Sequence, residues 1–391
     1  MLLSLIVFLI ILTVLVLIHE LGHFLVAKKL NIKVEEFGFG LPPRAFGIKF
    51  GETLCSINWL PIGGFVKLYG EDEAGAGKIQ NSEFRIQNKK DIGRAFFARS
   101  PLQRASIVVA GVVMNALLAA VIFYVFLFVS GFKTQMPLLG DHKFFLVDQK
   151  NQTAILVSSV AKDSPAEKIG LKPFYAITEI NGKKVTDVKE FINAINSNKG
   201  KSIMLGYEDA RTHEAFTRSV TPRISPPKNQ GALGIGFSAI TTAVLSYQTM
   251  TQKIFSGVIH SANLLVYNLD IIGKLIGFSI KEKTTAPLST SVTGPVGIYS
   301  LVSTIVSIPD IKERLLSGLN LAGLLSISLA FFNILPIPAL DGGRLFFIVI
   351  EAISGKKVPI KVESYIHALG MTILLVLFAL ITFQDLLCIF S

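Results

Sequence analysis

Long apolar stretches constrain this chain more than any other feature of its sequence. A helix needs about 20 residues, at 1.5 Å rise each, to cross the hydrocarbon core of a bilayer. Four apolar stretches reach that length: residues 2–27, 106–130, 319–340 and 365–384. The chain of 391 residues is 51% hydrophobic, which is richer than soluble domains usually are. We therefore predict a polytopic α-helical membrane protein with four transmembrane helices.

The first apolar stretch also carries a motif with chemical meaning. His19, Glu20 and His23 form a His-Glu-x-x-His sequence, and residues 2–18 before it include no charged side chain. On a helix the two histidines share one face and can bind one Zn²⁺, while Glu20 can accept a proton from water. Ionisable groups at membrane depth cost a few kcal/mol each and are usually kept for function. The sequence therefore predicts a zinc-hydrolase site inside the first span.

A third ligand candidate follows the third apolar stretch. Catalytic zinc usually has three protein ligands and one open position, so two histidines leave it one ligand short. Asp341 closes the sequence NILPIPALD and is followed by two glycines. Pro336 and Pro338 break the helix there, which is tolerated at membrane depth where freed backbone groups find partners. We expect Asp341 to end this span on the same side of the membrane as His19; the alternative is a turn residue beside Gly342.

Basic residues at the ends of the apolar stretches predict the topology. Lysines and arginines flank both ends of the loop 28–104 and recur between the third and fourth stretches. By the positive-inside rule these two loops are cytoplasmic, and the N-terminus, residues 131–318 and the C-terminus lie outside. Glu20 is eight residues before Lys28, or about 12 Å inside the membrane. A hydrolytic site at that depth acts on something that is also in the membrane.

One further segment complicates this topology. Residues 262–280 are apolar enough for a fifth span, but Asp270 and Lys274 lie inside them four residues apart. We interpret the segment as an amphipathic helix lying against the membrane or a partner. If it crossed the bilayer, the next span would be inverted and Asp341 would move away from His19.

The remaining regions have the composition of small β structures. Between residues 145 and 238 short β-rich runs alternate with turns, and Asn181-Gly182 is a strong tight-turn signal. Residues 46–50 and 53–60 flank a Gly-Glu turn and predict a hairpin. The two cysteines form no Cys-x-x-Cys motif, so neither a disulfide framework nor a thiolate zinc site is expected. The net charge of +11 comes without nucleic-acid-binding motifs, and no nucleic acid partner is expected.

These motifs give the sequence a resemblance to a known family. HELGHF (19–24) and NILPIPALDGG (333–343) are similar to the two signature motifs of the site-two intramembrane zinc metalloproteases. The resemblance extends over most of the chain and favours the bacterial branch that processes anti-sigma factors and leftover signal peptides. Its segments are FGFG (37–40), NWLPIGGFVKLYGE (58–71), AGVVMNALLA (110–119), SPAEKIGLK (164–172), INGKKV (180–185) and TGPVGI (293–298).

The resemblance implies a fold with one PDZ-like domain. It implies four transmembrane helices, a membrane-associated β-hairpin region and one α+β PDZ-like extracytoplasmic domain, as in single-PDZ members. Phe174-Tyr175 departs from the Gly-Asp that such domains usually carry. The expected order is a first helix with the motif (1–30), a β region (31–104), a second helix (105–132), the PDZ-like domain (145–238), an amphipathic segment (239–318), a third helix (319–342), a cytoplasmic loop (343–364) and a fourth helix (365–388).

The resemblance also implies a site and an activity. His19, His23 and Asp341 would bind Zn²⁺, Glu20 would be the base, and Asn333 would help to hold the substrate backbone. The expected activity is endoproteolysis of single-span membrane proteins, such as anti-sigma factors or signal peptide remnants, in the lipid bilayer of the bacterial inner membrane.

A substrate helix resists cleavage because its carbonyls are hydrogen-bonded, so it must first unwind. We expect the edge formed by Gly63, Gly64, Phe65 and Val66 to pair with it as an added strand; the alternative is a simple turn at the two glycines.

Two other functions fit parts of the sequence. A PDZ-containing receptor without activity would not need Glu20, and a metal-ion transporter would need polar groups along a whole path. His367 is an alternative ligand near the start of the fourth span. We interpret the other histidines as structural or surface residues; they are His142, His213 and His260.

Overall fold

The computed structural model describes residues 2–71, 89–185, 187–209, 214–283, 294–356 and 358–390. Its contacts divide the chain into two compact units. We call Met1–Ser130 together with Ile254–Ser391 the membrane unit, and Gly131–Lys253 the β unit. Each unit is described by itself.

The helices of the membrane unit follow the apolar stretches. Pro101 and the Ser100 cap, whose hydroxyl accepts from Gln103 N–H, fix the start of the second helix. The helices are α1 (Leu2–Lys29), α2 (Pro101–Val129), α6 (Ser256–Glu282), α7 (Pro295–Ser307), α8 (Ile311–Ile334), α9 (Asp341–Ser354) and α10 (Ile360–Phe390). Helix α2 packs against α1, α6 and α8 and lies at the centre of this unit.

Five helices in the described part of the chain are long and apolar enough to cross a membrane. They are α1, α2, α6, α8 and α10. Helix α6 is the least apolar of the five, and its Lys274 Nζ lies 2.8 Å from Asp270 Oδ2 on one face. The predicted segment 262–280 is therefore one continuous helix within α6, with both charges on the surface of this unit.

The predicted hairpin is present and forms a small sheet. Strands β1 (Val34–Phe50) and β2 (Thr53–Leu68) are joined at Gly51, which has a positive φ. Residues 36–39 pair on one side with residues 64–67 and on the other with residues 54–57. Among the described residues no further strand pairs with the segment 64–68, which therefore forms one edge of this sheet.

The third span ends earlier than the sequence predicts. Helix α8 ends at Ile334, and a turn leads into α9, whose first residue is Asp341. The prediction that Asp341 ends a span of residues 319–342 was wrong, because Pro336 and Pro338 cannot donate backbone hydrogen bonds and stop the helix before them. Residues 343–364, predicted as a loop, are mostly helical because the chain restarts a helix at Asp341.

The β unit is built on one antiparallel sheet whose strands differ in length. Its strands are β3 (Lys133–Leu138), β4 (Asp148–Val160), β5 (Tyr175–Ile180), β6 (Lys183–Lys184), β7 (Ile203–Asp209), β8 (Ala215–Val220) and β9 (Ile235–Ser246). They are ordered β3-β9-β4-β5-β7-β8, with β6 beside β5. Helices α3 (Pro165–Lys168) and α4 (Val188–Ser197) complete it, and Phe191 and Ile195 of α4 join its buried core. A short helix α5 (Met250–Ile254) follows.

The β unit is longer than the predicted domain at both ends. Strand β3 starts before residue 145 and β9 runs on past residue 238, because these strands pair with each other over residues 133–138 and 241–246. Residues 239–318, expected to form one amphipathic segment, therefore begin with the second half of a strand. The Asn181-Gly182 turn is present, with a positive φ at both residues.

Phe174 occupies a position for which glycine is the usual choice. Its φ is +72°, in the left-handed region, and its N–H donates to Val157 O at 2.9 Å. This conformation explains why a Gly is expected there. Tyr175 stacks on Tyr207, with ring centroids 5.6 Å apart. Phe174 itself is exposed.

Candidate metal centre

Three side chains from two distant parts of the chain meet in the membrane unit. His19 Nε2 lies 2.9 Å from Asp341 Oδ2 and 3.2 Å from His23 Nε2, and His23 Nε2 lies 3.2 Å from the same Asp341 oxygen. The histidines lie on one face of α1, and Asp341 begins α9. Their side chains are 9%, 12% and 19% exposed. These are the only described residues that form such a cluster of candidate metal ligands.

The spacing of these atoms fits a tetrahedral metal. Bonds of about 2.0–2.1 Å to a tetrahedral Zn²⁺ separate ligand atoms by about 3.3 Å. The observed separations of 2.9–3.2 Å are close to this value. Two imidazoles and one carboxylate also match the donor set of hydrolytic zinc sites.

Backbone and amide groups orient both imidazole rings. His23 Nδ1 lies 2.8 Å from Ile107 O, so Nδ1 carries the proton and Nε2 offers its lone pair to the centre. Asn115 Nδ2 lies 3.3 Å from His19 Nδ1, and the buried Asn115 Oδ1 then has no hydrogen-bond partner in the described part of the chain. Turning the amide by 180° lets Oδ1 accept from His19 Nδ1–H, which frees His19 Nε2 for a metal.

Gly111 of α2 leaves the space that the rings fill. A methyl group at Gly111 would contact His23 Nε2, and it would lie 2.7 Å from His23 Cε1 and 2.8 Å from His19 Cε1. Any side chain at this position would therefore push on both imidazoles. The orphaned amide oxygen, the glycine cradle and the donor set together fit a bound Zn²⁺.

Glu20 and the sheet edge line one cavity beside this cluster. The cavity has a volume of about 240 Å³, and its lining includes Glu20, Phe65, Val66 and Asp341. Gly64 brings the strand backbone against α1, since a side chain there would contact Glu20 Cγ at 3.3 Å. Gly63 has a positive φ of +82°, and a methyl group added to it would have no heavy atom within 4 Å. The structure thus brings the predicted base and edge together.

Ion pairs hold the elements around the cavity. Arg344 of α9 pairs with Glu71, just after the sheet edge, and both side chains line the cavity. Arg104 of α2 pairs with Glu351 of α9 at 2.6 Å, and both side chains are largely buried. Helix α9, which carries Asp341, is therefore held from two sides.

The turn of the hairpin is held by a third ion pair. Glu52 accepts hydrogen bonds from Arg94 and Lys28, each at 2.7 Å. These bonds lower the pKa of Glu52 to about 2, and the bond from Arg94 has the largest effect. The hairpin is therefore attached to the end of α1, near the cluster.

Asn333 is not brought to the cavity. It is half-buried in the last turn of α8 and is not among the lining residues. His367 lines the cavity, but its Nδ1 accepts the N–H of Ala339 at 2.8 Å, and it does not join the cluster. His260 is buried against Phe123, which fits a structural residue; His213 lies outside the described residues.

Sequence reasoning missed several residues that support the cluster. They are Ile107, Gly111, Asn115, Glu71 and Arg344. Gly111 and Asn115 lie in AGVVMNALLA (110–119), and Glu71 ends NWLPIGGFVKLYGE (58–71). Both segments carry the family resemblance, but the roles of these residues at the site were not predicted. The contact of the Ile107 carbonyl with His23 cannot be predicted from the sequence, because every residue has a backbone carbonyl.

Comparison with known proteins decides the family. The model of peptidase family M50 matches residues 7–377. The chain belongs to peptidase family M50. A protein of Clostridium perfringens named a putative zinc metalloprotease is 32% identical to this M50 peptidase over 371 residues, which is 95% of each chain. The regulator of sigma-W protease RasP of Bacillus subtilis is 26% identical over 449 residues, covering 98% of each.

Several solved structures match a part of this M50 peptidase. One of them is the PDZ domain of an SdrC-like protein from Listeria monocytogenes, 27% identical, with a TM-score of 0.19. The match covers 21% of this chain and 85% of that one.

Family membership confirms the resemblance to the site-two metalloproteases. The M50 peptidase is a zinc metalloprotease, and Zn²⁺ is its cofactor. With five helices apolar enough to cross a membrane among its described residues, it is a multi-pass membrane protein.

Proposed function

We propose that this M50 peptidase is an intramembrane endopeptidase that cleaves the transmembrane segments of single-span proteins. The observation that carries the proposal is the position of the His19, His23 and Asp341 cluster: its two histidines lie in the apolar helix α1, against Gly111 of the apolar helix α2. His19 is ten residues from the end of α1, or about 15 Å along its axis. A peptide bond that reaches this cluster comes from inside the membrane.

We propose that four of the five apolar helices cross the membrane and that α6 does not. Asp341 contacts His19, so the C-terminal ends of α1 and α8 lie on the same side of the membrane. Helix α2 crosses once between them, and α8 must cross back. A single crossing by α6 would invert α8, and α7, with 13 residues, is too short to compensate.

The basic loops favour a cytoplasmic position for the ends of α1 and α8. The N- and C-termini and the β unit are then extracytoplasmic. In a bacterium this topology belongs to the inner membrane.

We assign the chemistry to four residues. His19, His23 and Asp341 would hold Zn²⁺, and a zinc ion bound there would supply Lewis acidity towards a scissile carbonyl and towards a water molecule. Glu20 is next to His19 on α1 and faces the cavity, so it is the group that accepts the proton of the attacking water. Glu20 then returns this proton to the leaving nitrogen.

The sheet edge supplies a means of holding an unwound substrate. Residues 64–66 lie beside Glu20 and have a strand partner on one side only among the described residues. A substrate segment added to this edge exchanges its helical hydrogen bonds for intermolecular ones. Phe65 and Val66 line the cavity and would contact its side chains. We infer no contact for Asn333, whose role in substrate binding stays a prediction.

The class of substrate follows from the relatives. One relative is named a regulator of sigma-W protease, which favours anti-sigma factors as substrates, with signal peptide remnants as the second candidate. We propose that the β unit is PDZ-like and selects among these substrates. It holds none of the four catalytic residues.

The experiment compares Glu20→Gln with the parent protein on a panel of single-span substrates in detergent or proteoliposomes. The variant should bind zinc like the parent protein and cleave none of the panel, because the base is lost and the ligands remain. A zinc chelator should stop the parent protein. Cleavage by Glu20→Gln at the parent rate would contradict the assignment.

A further inference from the structure

The turn that delivers Asp341 contains a strained residue. Ala339, two residues before Asp341, has a φ of +76°, in the left-handed region that residues with a Cβ seldom adopt. A free chain with Ala at this position prefers negative φ, so contacts outside the turn must hold it. Those contacts fix the direction in which the Asp341 carboxylate leaves the backbone.

Helix α10 makes these contacts with two residues on one face. His367 Nδ1 accepts a hydrogen bond from Ala339 N at 2.8 Å. Gly370, three residues later, lies so close to Pro338 that a methyl group on it would come within 2.9 Å of Pro338 C. Helix α10 thus holds both Ala339 and Pro338, the residue before it.

The His367 ring is itself fixed. It is 3% exposed, and its centroid lies 5.6 Å from that of the Phe347 ring in α9. Because Nδ1 accepts from a backbone N–H, the neutral ring carries its proton on Nε2. Neither nitrogen then has a lone pair to offer a metal, which excludes His367 as a ligand in this arrangement.

We propose that His367 is a positioning residue for the third zinc ligand. Its hydrogen bond to Ala339 holds the left-handed conformation that aims Asp341 at His19 and His23. The inference rests on the proposed metal centre, since it assigns a function to the direction of Asp341. His367 acts through the backbone and does not contact the metal or the substrate.

The test measures zinc affinity of the full-length protein by competition with a chromophoric chelator. His367→Leu removes the acceptor while filling a similar volume, and His367→Asn retains an acceptor oxygen near the position of Nδ1. We expect His367→Leu to weaken zinc binding by about ten- to a hundredfold, the usual effect of losing a group that orients a ligand. His367→Asn should stay close to the parent protein. His260→Leu, a buried histidine away from this turn, should not change zinc affinity.

A second pair of variants separates positioning from general stability. Glycine adopts positive φ as readily as negative φ, so Ala339→Gly should restore part of the zinc affinity when combined with His367→Leu. A general packing defect at His367 would not be repaired by this change, and the apo proteins' unfolding temperatures report that defect independently. If His367→Leu alone does not fold, zinc affinity is measured on the double variant His367→Leu/Ala339→Gly instead.

Two results would overturn the proposal. One is parent-like zinc affinity in His367→Leu, and the other is equal loss in His367→Asn and His367→Leu without recovery by Ala339→Gly. Asp341→Ala distinguishes the two levels of inference. If Asp341→Ala binds zinc like the parent protein, the proposed centre itself is wrong; if it loses zinc and His367→Leu does not, only the positioning role fails.

Discussion

Replacing Gly111 with alanine is expected to damage the metal centre without touching any of its ligands. The added methyl group would contact His23 Nε2 and lie 2.8 Å from His19 Cε1. Both rings are also held on their far sides, by Ile107 O and Asn115, so they have little freedom to retreat. The substitution therefore disturbs the positions in which the two imidazoles meet Asp341.

The magnitude follows from two opposing effects. Alanine in a helix is about 1 kcal/mol more favourable than glycine, whereas an extra methyl in a packed site costs about 1–3 kcal/mol. The free energy of unfolding of the apo protein should thus fall by about 0–2 kcal/mol. Displaced ligands should weaken zinc binding by about ten- to a hundredfold, which corresponds to roughly 1.4–2.7 kcal/mol.

The assay combines metal analysis with chelator competition and with thermal unfolding with and without zinc. Zinc should raise the unfolding temperature of the variant less than that of the parent protein, because ligand stabilisation depends on affinity. Gly318→Ala is the matched control. It changes a glycine in α8 with nothing within 4 Å of the added methyl group, so its zinc affinity should be unchanged. Parent-like zinc affinity in Gly111→Ala would refute the reasoning.

Three further predictions concern topology, substrate choice and pH. A cysteine at Lys356 should react with an impermeant thiol reagent only after the inner membrane is opened, whereas one at Lys184 should react in intact cells; reaction of both in intact cells would contradict four spans. Replacing residues 131–253 by a flexible linker should leave hydrolysis intact but abolish the preference for a pre-trimmed over a full-length substrate, and an unchanged preference would count against selection by the β unit. Glu52→Gln should increase hydrogen exchange in the hairpin at pH 7. Because the pKa of Glu52 falls from 4.5 to about 2, the parent hairpin keeps this stabilisation above pH 4.5 and loses it only as the pH falls towards 2; equal exchange in both proteins at pH 7 would contradict it.

Most of the helices and turns that depend on neighbouring residues can be predicted from the sequence. Hydropathy predicts α1, α2 and α10, the Gly-Glu turn predicts the hairpin, and Asn181-Gly182 predicts a tight turn that the structure contains. His19 and His23 share a face because of helix periodicity alone. Each of these features depends on residues that are close in the chain.

Features that depend on distant residues were not predictable in this way. The restart of a helix at Asp341 depends on how the two prolines, His367 and Gly370 pack. The contact of Ala339 with His367 spans 28 residues, and that of Pro338 with Gly370 spans 32. The length of the β unit depends on pairing between β3 and β9, which are about a hundred residues apart in sequence. Asn333 remains a prediction, because its contact would be with a substrate.

The distance along the chain between the first and third ligands has a consequence for synthesis. His19 and Asp341 are 322 residues apart, and ribosomes add roughly 5 to 20 residues per second. The two histidines are thus made tens of seconds before the carboxylate that completes their site. If His19, His23 and Asp341 are the zinc ligands, as proposed, a growing chain lacks a complete metal centre until Asp341 has been made. On the proposed assignment, the site is complete only once α9, which Glu351 joins to Arg104 of α2, has been made and has packed against α2.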